Sequence, residues 1–150
     1  MSLRKYKCYL IICLFTIINL HAQNQTIEGK IIDSYLIALP QVEIYSADNK
    51  IITISDMNGN FTIENAERIE SLKFRFLGVK DEIIEMSKNC RYIQLIMFND
   101  ATHCFVSARK LKRIEIKEQK EKKKILPKLI DEAIAKKIFN ADKMCNMQKI

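Results

Sequence analysis

Three side chains between residues 56 and 60 have the spacing with which a calcium-binding loop begins. Asp56, Asn58 and Asn60 place side-chain oxygens at positions i, i+2 and i+4, as an EF-hand loop does. The glycine that such a loop needs at its sixth position is replaced by Phe61,. Asp and Asn side chains next to a glycine are also typical of a tight turn, and a turn is the interpretation we prefer.

The carboxylates, hydroxyls and imidazoles of the chain form no recognisable catalytic set. Asp33, Asp48 and Asp56 are carboxylates, but a general acid or base needs a companion group in a shaped pocket. Beyond residue 21 the chain has one histidine, His103, and no serine lies in a nucleophile-elbow motif,. The sequence therefore predicts a protein that is not an enzyme, with no catalytic, cofactor-binding or metal-binding residues and no cofactor. The enzymatic alternative requires His103 to lie within hydrogen-bond reach of a carboxylate.

The positive charge of the chain is concentrated in its last third. Residues 98–150 contain 14 Lys and Arg against 7 Asp and Glu, whereas residues 23–97 contain 8 against 11. The densest basic run, at 120–124, has no aromatic residue that would stack on bases, so nucleic acid is not an expected partner. We expect a solvated linker there. Attraction of this basic segment to an anionic membrane surface, through lipid or lipopolysaccharide phosphates, is the alternative.

The first 22 residues have the features of an export signal. A basic start precedes an apolar run at 9–20, and Ala22 then lies where a cleavage site is expected,. The run has 12 residues, whereas a helix needs about 20 to span a bilayer. The sequence therefore predicts a signal helix at 1–22 and an exported protein, with an uncleaved N-terminal anchor as the alternative.

Three cysteines remain after residue 22, namely Cys90, Cys104 and Cys145. An oxidising compartment allows disulfides, and an odd number permits one internal bridge at most. Cys90 and Cys104 lie on or near adjacent predicted strands, so they either pair or remain as buried free thiols. No Cys-x-x-Cys motif occurs, and a structural zinc site is not expected.

Short alternating runs of apolar residues between 26 and 96 predict a β-domain. Each run enters or leaves a turn containing Gly, Pro, Asn or Asp, which is the usual way in which antiparallel strands are bounded. Seven runs at close spacing favour an all-β fold, a seven-stranded antiparallel β-sandwich. The predicted strands are 27–33, 41–46, 50–55, 60–64, 71–77, 82–87 and 91–97.

Alternation within each strand assigns one face to the core and the other to solvent. The expected core consists of Ile27, Ile31, Val42, Ile44, Ile54, Phe61, Ile63, Leu72, Phe74, Phe76, Ile84, Ile93 and Leu95. Each such side chain contributes about 1.5–3 kcal/mol when fully buried, so this core needs neither a metal nor an obligatory disulfide. Between the third and fourth strands, Asn58 and Gly59 tolerate positive φ, and a tight hairpin is expected there.

The composition changes after the predicted β-domain, which covers residues 23–107. Residues 108–124 are dominated by charge and are expected to form a linker that is partly helical. Apolar residues then return at helical spacing, so an amphipathic helix is predicted at 125–140, with Pro127 in its first turn. The tail at 141–150 is expected to fray.

Four blocks of this pattern resemble the carboxypeptidase-regulatory-like domain, a transthyretin-like β-sandwich abundant in exported proteins of Bacteroidetes-type bacteria. The blocks are IEGKIID at 27–33, LPQVEI at 39–44, SDMNGNFTI at 55–63 and LKFRFLG at 72–78, and HCFVSA at 103–108 looks like a degenerate closing strand. The resemblance covers residues 26 to 108, and the Asp56-x-x-Gly59-x-Phe61 block is its most specific part. Gln41 and Val79 depart from the family pattern, which weakens the transfer of any partner surface.

In that family the module precedes the plug and barrel of TonB-dependent outer-membrane receptors, and it also occurs in smaller exported proteins of unassigned role. The resemblance implies a periplasmic or outer-membrane-associated location and an envelope protein as partner. We therefore expect a non-catalytic interaction or structural module of the bacterial cell envelope, either a shortened member or a gene fragment.

Two alternative functions use the same fold. One is the N-terminal extension, as a fragment, of a TonB-dependent receptor. The other is a weak carbohydrate-binding module that relies on Tyr35 and Tyr45, since the chain has no Trp,.

Overall fold

Seven strands and one long helix make up the described part of the chain. The computed structural model describes residues 25–66, 69–87, 89–100 and 106–143. The strands are β1 (Ile27–Asp33), β2 (Glu43–Ser46), β3 (Ile51–Ile54), β4 (Asn60–Ile63), β5 (Ser71–Arg75), β6 (Glu82–Glu85) and β7 (Tyr92–Met97). Helix α1 (Ala108–Ala135) follows, and a short 3-10 helix spans Ala141–Lys143. The predicted signal helix at 1–22, residues 103–105 of the predicted closing strand and most of the tail lie outside the described residues.

The strands form two sheets, ordered β4-β1-β7 and β3-β2-β5-β6. Side chains from both sheets enclose one apolar cluster, so the sheets pack face to face in the manner of a β-sandwich. Strand β1 pairs with β4 in antiparallel fashion but with β7 in parallel fashion. The prediction of a purely antiparallel arrangement is therefore wrong, because the three-stranded sheet is mixed. A parallel ladder satisfies the same backbone groups with slanted bonds.

The cluster between the sheets contains the predicted core with one exception, Ile54, while Phe76 is only partly buried. Ile44 pairs with Thr53 and Tyr45 pairs with Ile51, so a bulge leaves Ile52 without a partner residue on β2. An extra residue reverses the alternation of a strand. Ile52 therefore packs against the core, and Ile54 is 51% exposed.

A second apolar cluster lies on the outer side of the three-stranded sheet, under α1. Neighbouring residues of a strand point to opposite faces, and here both faces of β1 are covered. Ile31 is buried between the two sheets, whereas Ile32 packs against the helix. Ile96 of β7 and two helix residues, Leu126 and Ala133, belong to the same second cluster. The molecule thus has three layers, which are the four-stranded sheet, the three-stranded sheet and the helix.

The segment 108–124, predicted as a charged linker, is the first part of α1. The helix is continuous from Ala108 to Ala135 and ends before the predicted limit of 140. Lys, Glu, Gln, Arg and Leu, which dominate the segment, are all strong helix formers. Pro127 is therefore inside the helix and not in its first turn, and it removes the backbone bond to the carbonyl of residue 123. No helix of the described residues combines the length and the apolar character needed to cross a bilayer.

The C-terminal end of α1 is closed by a Schellman motif. The Lys137 N–H donates to the Ile134 carbonyl and the Ile138 N–H donates to the Ala133 carbonyl, each at 2.9 Å. Lys137 adopts a left-handed φ of 58°, a position at which glycine is usual. Ile138 and Phe139 then join the second cluster, which holds the end of the helix against the sheet.

Residues 56–60 connect β3 to β4 and therefore cross from one sheet to the other. The prediction of a hairpin is wrong here, because β3 and β4 belong to different sheets. The predicted positive φ is confirmed at Gly59, which has a φ of 73° and whose N–H donates to the Asp56 carbonyl at 2.9 Å, but Asn58 does not have a positive φ. A Cβ on Gly59 would lie 2.3 Å from the Ile31 carbonyl oxygen. The turn thus packs directly on β1.

Substitution of Gly29, in the middle of β1, tests how closely the three-stranded sheet is packed. A Cβ there would lie 2.4 Å from the Phe61 ring and 2.6 Å from the Ile93 carbonyl oxygen. We expect Gly29→Ala to lower the free energy of unfolding by about 3 kcal/mol, measured by urea denaturation, because overpacking a rigid core costs about that much. Gly78→Ala is the matched control. Gly78 has open space around its Cβ position and only its φ of 76° opposes a side chain, so about 1 kcal/mol is expected. Equal losses in the two variants would contradict close packing at Gly29.

Candidate interaction surfaces

The residues with calcium-loop spacing form a turn. Asp56 Oδ1 accepts hydrogen bonds from the backbone N–H groups of Asn58 and Asn60, both at 2.8 Å. These bonds, with the one from Asn60 the stronger influence, hold the pKa of the Asp56 carboxyl below its ordinary value,. Asp33 makes the same pair of bonds, to the N–H groups two and four residues ahead of it. Among the described residues, no three His, Cys, Asp or Glu side chains are grouped as metal ligands.

The other residues considered for chemistry are not brought together in the described part of the chain. Asp48 lies in the turn between β2 and β3. His103 and Cys104 lie outside the described residues, so the enzymatic alternative stays a prediction. Cys90 is disulfide-bonded, which excludes a free thiol at that position. Its partner also lies outside the described residues.

Only one of the two tyrosines considered for carbohydrate binding presents its ring to solvent. The Tyr45 hydroxyl donates to Glu43 Oε2 at 2.6 Å, and the guanidinium carbon of Arg75 lies 5.2 Å from the Tyr45 ring centroid. The hydrogen bond to the Glu43 carboxylate raises the pKa of Tyr45,. Tyr35, on the connection from β1 to β2, is 73% exposed. Tyr45 is thus part of a polar network, and Tyr35 is the aromatic ring left for a sugar.

Helix α1 packs on the three-stranded sheet, so no described helix covers the outer side of the four-stranded sheet. We call this outer side the bare face. The strand register assigns to it Glu43, Tyr45, Ile51, Ile54, Lys73, Arg75, Ile83 and Glu85. These residues come from all four strands of the sheet, so the surface is continuous from edge to edge.

A network of paired charges forms the centre of the bare face. Asp81, which follows β5, lies 3.1 Å from Lys73 Nζ and 3.3 Å from Arg75 Nε. The hydrogen bond to Asp81 raises the pKa of Arg75 further above its already high value. Arg75 in turn lies over the Tyr45 ring,. Each of these side chains therefore has at least one charged or aromatic neighbour in the centre of the face.

Isoleucines border this charged centre on both sides. Ile51 and Ile54 on β3 are 52% and 51% exposed, and Ile83 on β6 is 64% exposed. Strands β3 and β6 are the two edges of the sheet. An open depression of about 480 Å³ lies at one corner, lined by Glu43, Arg75 and Asp81 among others. The mixture of apolar and charged side chains is similar to that of non-obligate protein interfaces, although such interfaces usually place the apolar side chains at the centre and the polar ones at the rim.

Lys122 attaches α1 to the edge of the four-stranded sheet. Its ammonium forms a salt bridge with Glu82 of β6, and the two side chains are only 15% and 12% exposed. Lys122 Nζ also lies 5.1 Å from the centroid of the Phe98 ring,. This contact closes one side of a cleft of about 490 Å³ between the helix and residues 80–82 and 98–99. The two members of the pair are 40 residues apart, so no local sequence pattern predicts it.

The chain matches no protein-family model, and no curated protein matches it. The resemblance to the carboxypeptidase-regulatory-like domain therefore stays a prediction that depends on the four sequence blocks.

Removal of the Lys122 charge tests the attachment of the helix. Lys122→Met keeps the aliphatic stem but leaves Glu82 buried without its cation, and we expect the free energy of unfolding to fall by about 3 kcal/mol. Adding Glu82→Gln to this variant should recover at least half of the loss. Lys117→Met is the matched control, because its pair with Glu121 is 78% and 58% exposed and such pairs contribute about 0.5 kcal/mol or less. Equal urea midpoints for the two single variants would contradict a buried attachment.

Asp56 gives the fold a predictable dependence on pH. Because folding lowers the pKa of this carboxyl, its ionised form stabilises the fold above the unfolded pKa. That stabilisation is lost as the pH falls through the lower, folded pKa. Asp56→Asn keeps an oxygen acceptor for both N–H groups but does not titrate. Urea midpoints measured between about pH 6 and pH 2 should therefore fall less steeply for the variant than for the wild type. Asp56→Ala, which lacks the acceptor, should be weakened at every pH, and superimposable profiles for wild type and Asp56→Asn would disprove the linkage.

Proposed function

We propose that this protein is a non-catalytic, exported β-sandwich of transthyretin-like type that acts as an interaction or structural module at the bacterial cell envelope. The two packed sheets and the order of the sequence blocks support the fold assignment. The export signal predicted at 1–22 supports the proposed location, which is the periplasm or the outer membrane. The proposed partner is an envelope protein, and nucleic acid is not proposed.

The bare face is the observation that carries this proposal. Exposed isoleucines at both margins supply apolar area, which is the main favourable contribution to protein association. The charges between them already have partners within the face, so less conformational entropy is lost when a protein partner engages them. Charged groups in fixed positions also select a partner of complementary charge. The occupant we propose is therefore a protein surface that is apolar at two edges and charged between them.

The receptor-fragment alternative assigns the same module to the N-terminus of a TonB-dependent receptor. A plug domain encoded directly downstream would support it, and an unrelated downstream gene would count against it. The carbohydrate alternative has lost part of its basis, because Tyr45 is engaged by Glu43 and Arg75.

Site-specific photocrosslinking in cells that produce the protein tests the bare face. A photoreactive amino acid replaces Ile54 or Ile83 on the bare face, or Met57 as a matched control that is 80% exposed in the turn after β3. We expect one protein adduct of the same size from both bare-face positions and none from Met57. Adducts at all three positions, or at none, would overturn the proposed docking surface.

Charge reversal within the same experiment tests the specificity of the contact. Arg75→Glu places a third carboxylate beside those of Asp81 and Glu43, which disturbs the charge complementarity with the partner. The yield of the adduct at Ile54 should therefore fall at least tenfold. Circular dichroism of the variant checks that the β-structure is retained. Fractionation of the same cells checks the location, and recovery of the protein in the cytosol would contradict export.

A further inference from the structure

One side of the exposed half of α1 is lined by basic side chains alone. Arg109, Arg113, Lys117, Lys120 and Lys124 follow one another at spacings of four, four, three and four residues. With 3.6 residues per turn, this spacing aligns them along one side of the helix. All five are exposed. We call this set the basic stripe, and it extends for about 22 Å along the helix axis.

The acidic residues of the same segment leave the basic stripe largely unneutralised. At 100° per residue, Glu115 and Glu118 fall on the opposite side of the helix. Glu121 lies at the border of the stripe and reaches Lys117, with 3.9 Å between Nζ and Oε1. Both side chains of this pair are mostly exposed, so solvent screens the interaction. The stripe is therefore a line of cations that faces water.

This line of cations works against the helix that carries it. Like charges three or four residues apart on a helix repel each other. Arg109 lies in the first turn, where no acidic residue is present, and the N-cap residue Ser107 makes no side-chain hydrogen bond. A positive charge beside the positive end of the helix dipole is also unfavourable. A negatively charged surface along the stripe would relieve both repulsions, so charge complementarity defines the ligand as anionic.

We propose that the basic stripe lays α1 on a membrane surface rich in anionic phospholipid headgroups. A membrane presents phosphates in a plane, so all five cations of a straight stripe reach it at the same time. A groove of double-stranded nucleic acid presents phosphates on two flanks, and Glu115 and Glu118 would face the second strand. Each Lys or Arg near an anionic surface adds to the attraction, and five of them give a preference of about 10³-fold over a neutral membrane.

The proposed membrane contact is independent of the proposed function. The basic stripe and the bare face have no residue in common, so the two contacts can be tested separately. Failure of the membrane contact would leave the crosslinking result at Ile54 and Ile83 unaffected, and the reverse also holds.

Vesicle sedimentation with the full chain tests the proposal. Vesicles of phosphatidylcholine alone are compared with vesicles in which a third of the lipid is phosphatidylglycerol. The apolar segment at 9–20 is common to both measurements, so the ratio of the two partition constants reports the charge contribution. We expect a ratio of about 10³ for the wild type at low salt, and screening should reduce it to below about 10 at 0.5 M NaCl.

Two variants of equal net charge separate the basic stripe from charge in general. One replaces its five residues by Gln, and the other replaces five exposed lysines elsewhere by Gln. These are Lys50, Lys80, Lys136, Lys137 and Lys143. The stripe variant should lose at least a hundredfold in the ratio, and the control variant less than tenfold. Equal losses, or no preference for anionic vesicles in the wild type, would overturn the proposal.

Two further measurements complete the test. Because anionic lipid relieves repulsion within the stripe, the helical circular-dichroism signal of the wild type should rise on phosphatidylglycerol vesicles, whereas that of the stripe variant should not change. Duplex DNA serves as the competing polyanion. Binding to DNA as tight as to the vesicles, at the same salt and per phosphate, would overturn the assignment to a membrane.

Discussion

Strand β1 is enclosed on every side, and the rest of the structure depends on this enclosure. Its edges pair with β4 and β7, Ile31 faces the inter-sheet core, and Ile32 faces the helix. Gly29 lets the Phe61 ring and the β7 backbone approach more closely than a side chain would allow. A strand covered on both faces must find two apolar partners, and the second of these is α1. The helix is therefore a structural layer of the domain and not an appendage.

The two halves of α1 are held by different forces. After Pro127, residues such as Leu129 and Ile130 pack against the sheet, so hydrophobic burial stabilises that half. Before Pro127, the helix is attached to the sheet edge by the Lys122 and Glu82 pair, and residues 108–113 are exposed all round. Short helices without tertiary packing are marginal in water. The first half of the helix thus lacks the hydrophobic burial that stabilises the second half.

Much of the fold could be predicted from the sequence because its signals are local. Alternation, together with turns such as that at Gly59, located the strands and nearly all of the core. The parallel pairing of β7 could not be predicted, since alternation is the same for both strand directions. The prediction of a partly helical linker at 108–124 underestimates the helix, because it gives high charge more weight than helix propensity. The role of the helix in covering β1 had a signal in the two consecutive isoleucines Ile31 and Ile32, since a strand with one solvated face does not need apolar residues at neighbouring positions.

The interaction surfaces were less predictable than the fold. Alternation predicts Ile54 in the core, because the bulge at Ile52 is a property of the pairing with β2 and has no signal in the sequence of β3 itself. The charged centre of the bare face joins Lys73, Arg75 and Asp81 across a turn, and only the folded chain brings them together. The basic run is visible in the sequence, but its residues are aligned as a stripe only because the segment is helical.

The bulge in β3 has a consequence for how copies of this protein behave at high concentration. An edge strand with the sequence IITI and no charge is the kind of template on which foreign strands add and fibres grow. The irregular pairing at Ile52 twists the strand and breaks the even spacing of its outward amide and carbonyl groups. An incoming strand can then form backbone hydrogen bonds with only a few residues of β3 before the two registers no longer agree. The edge strand β3 can therefore make a short contact, but it resists the continuous addition of strands that aggregation requires.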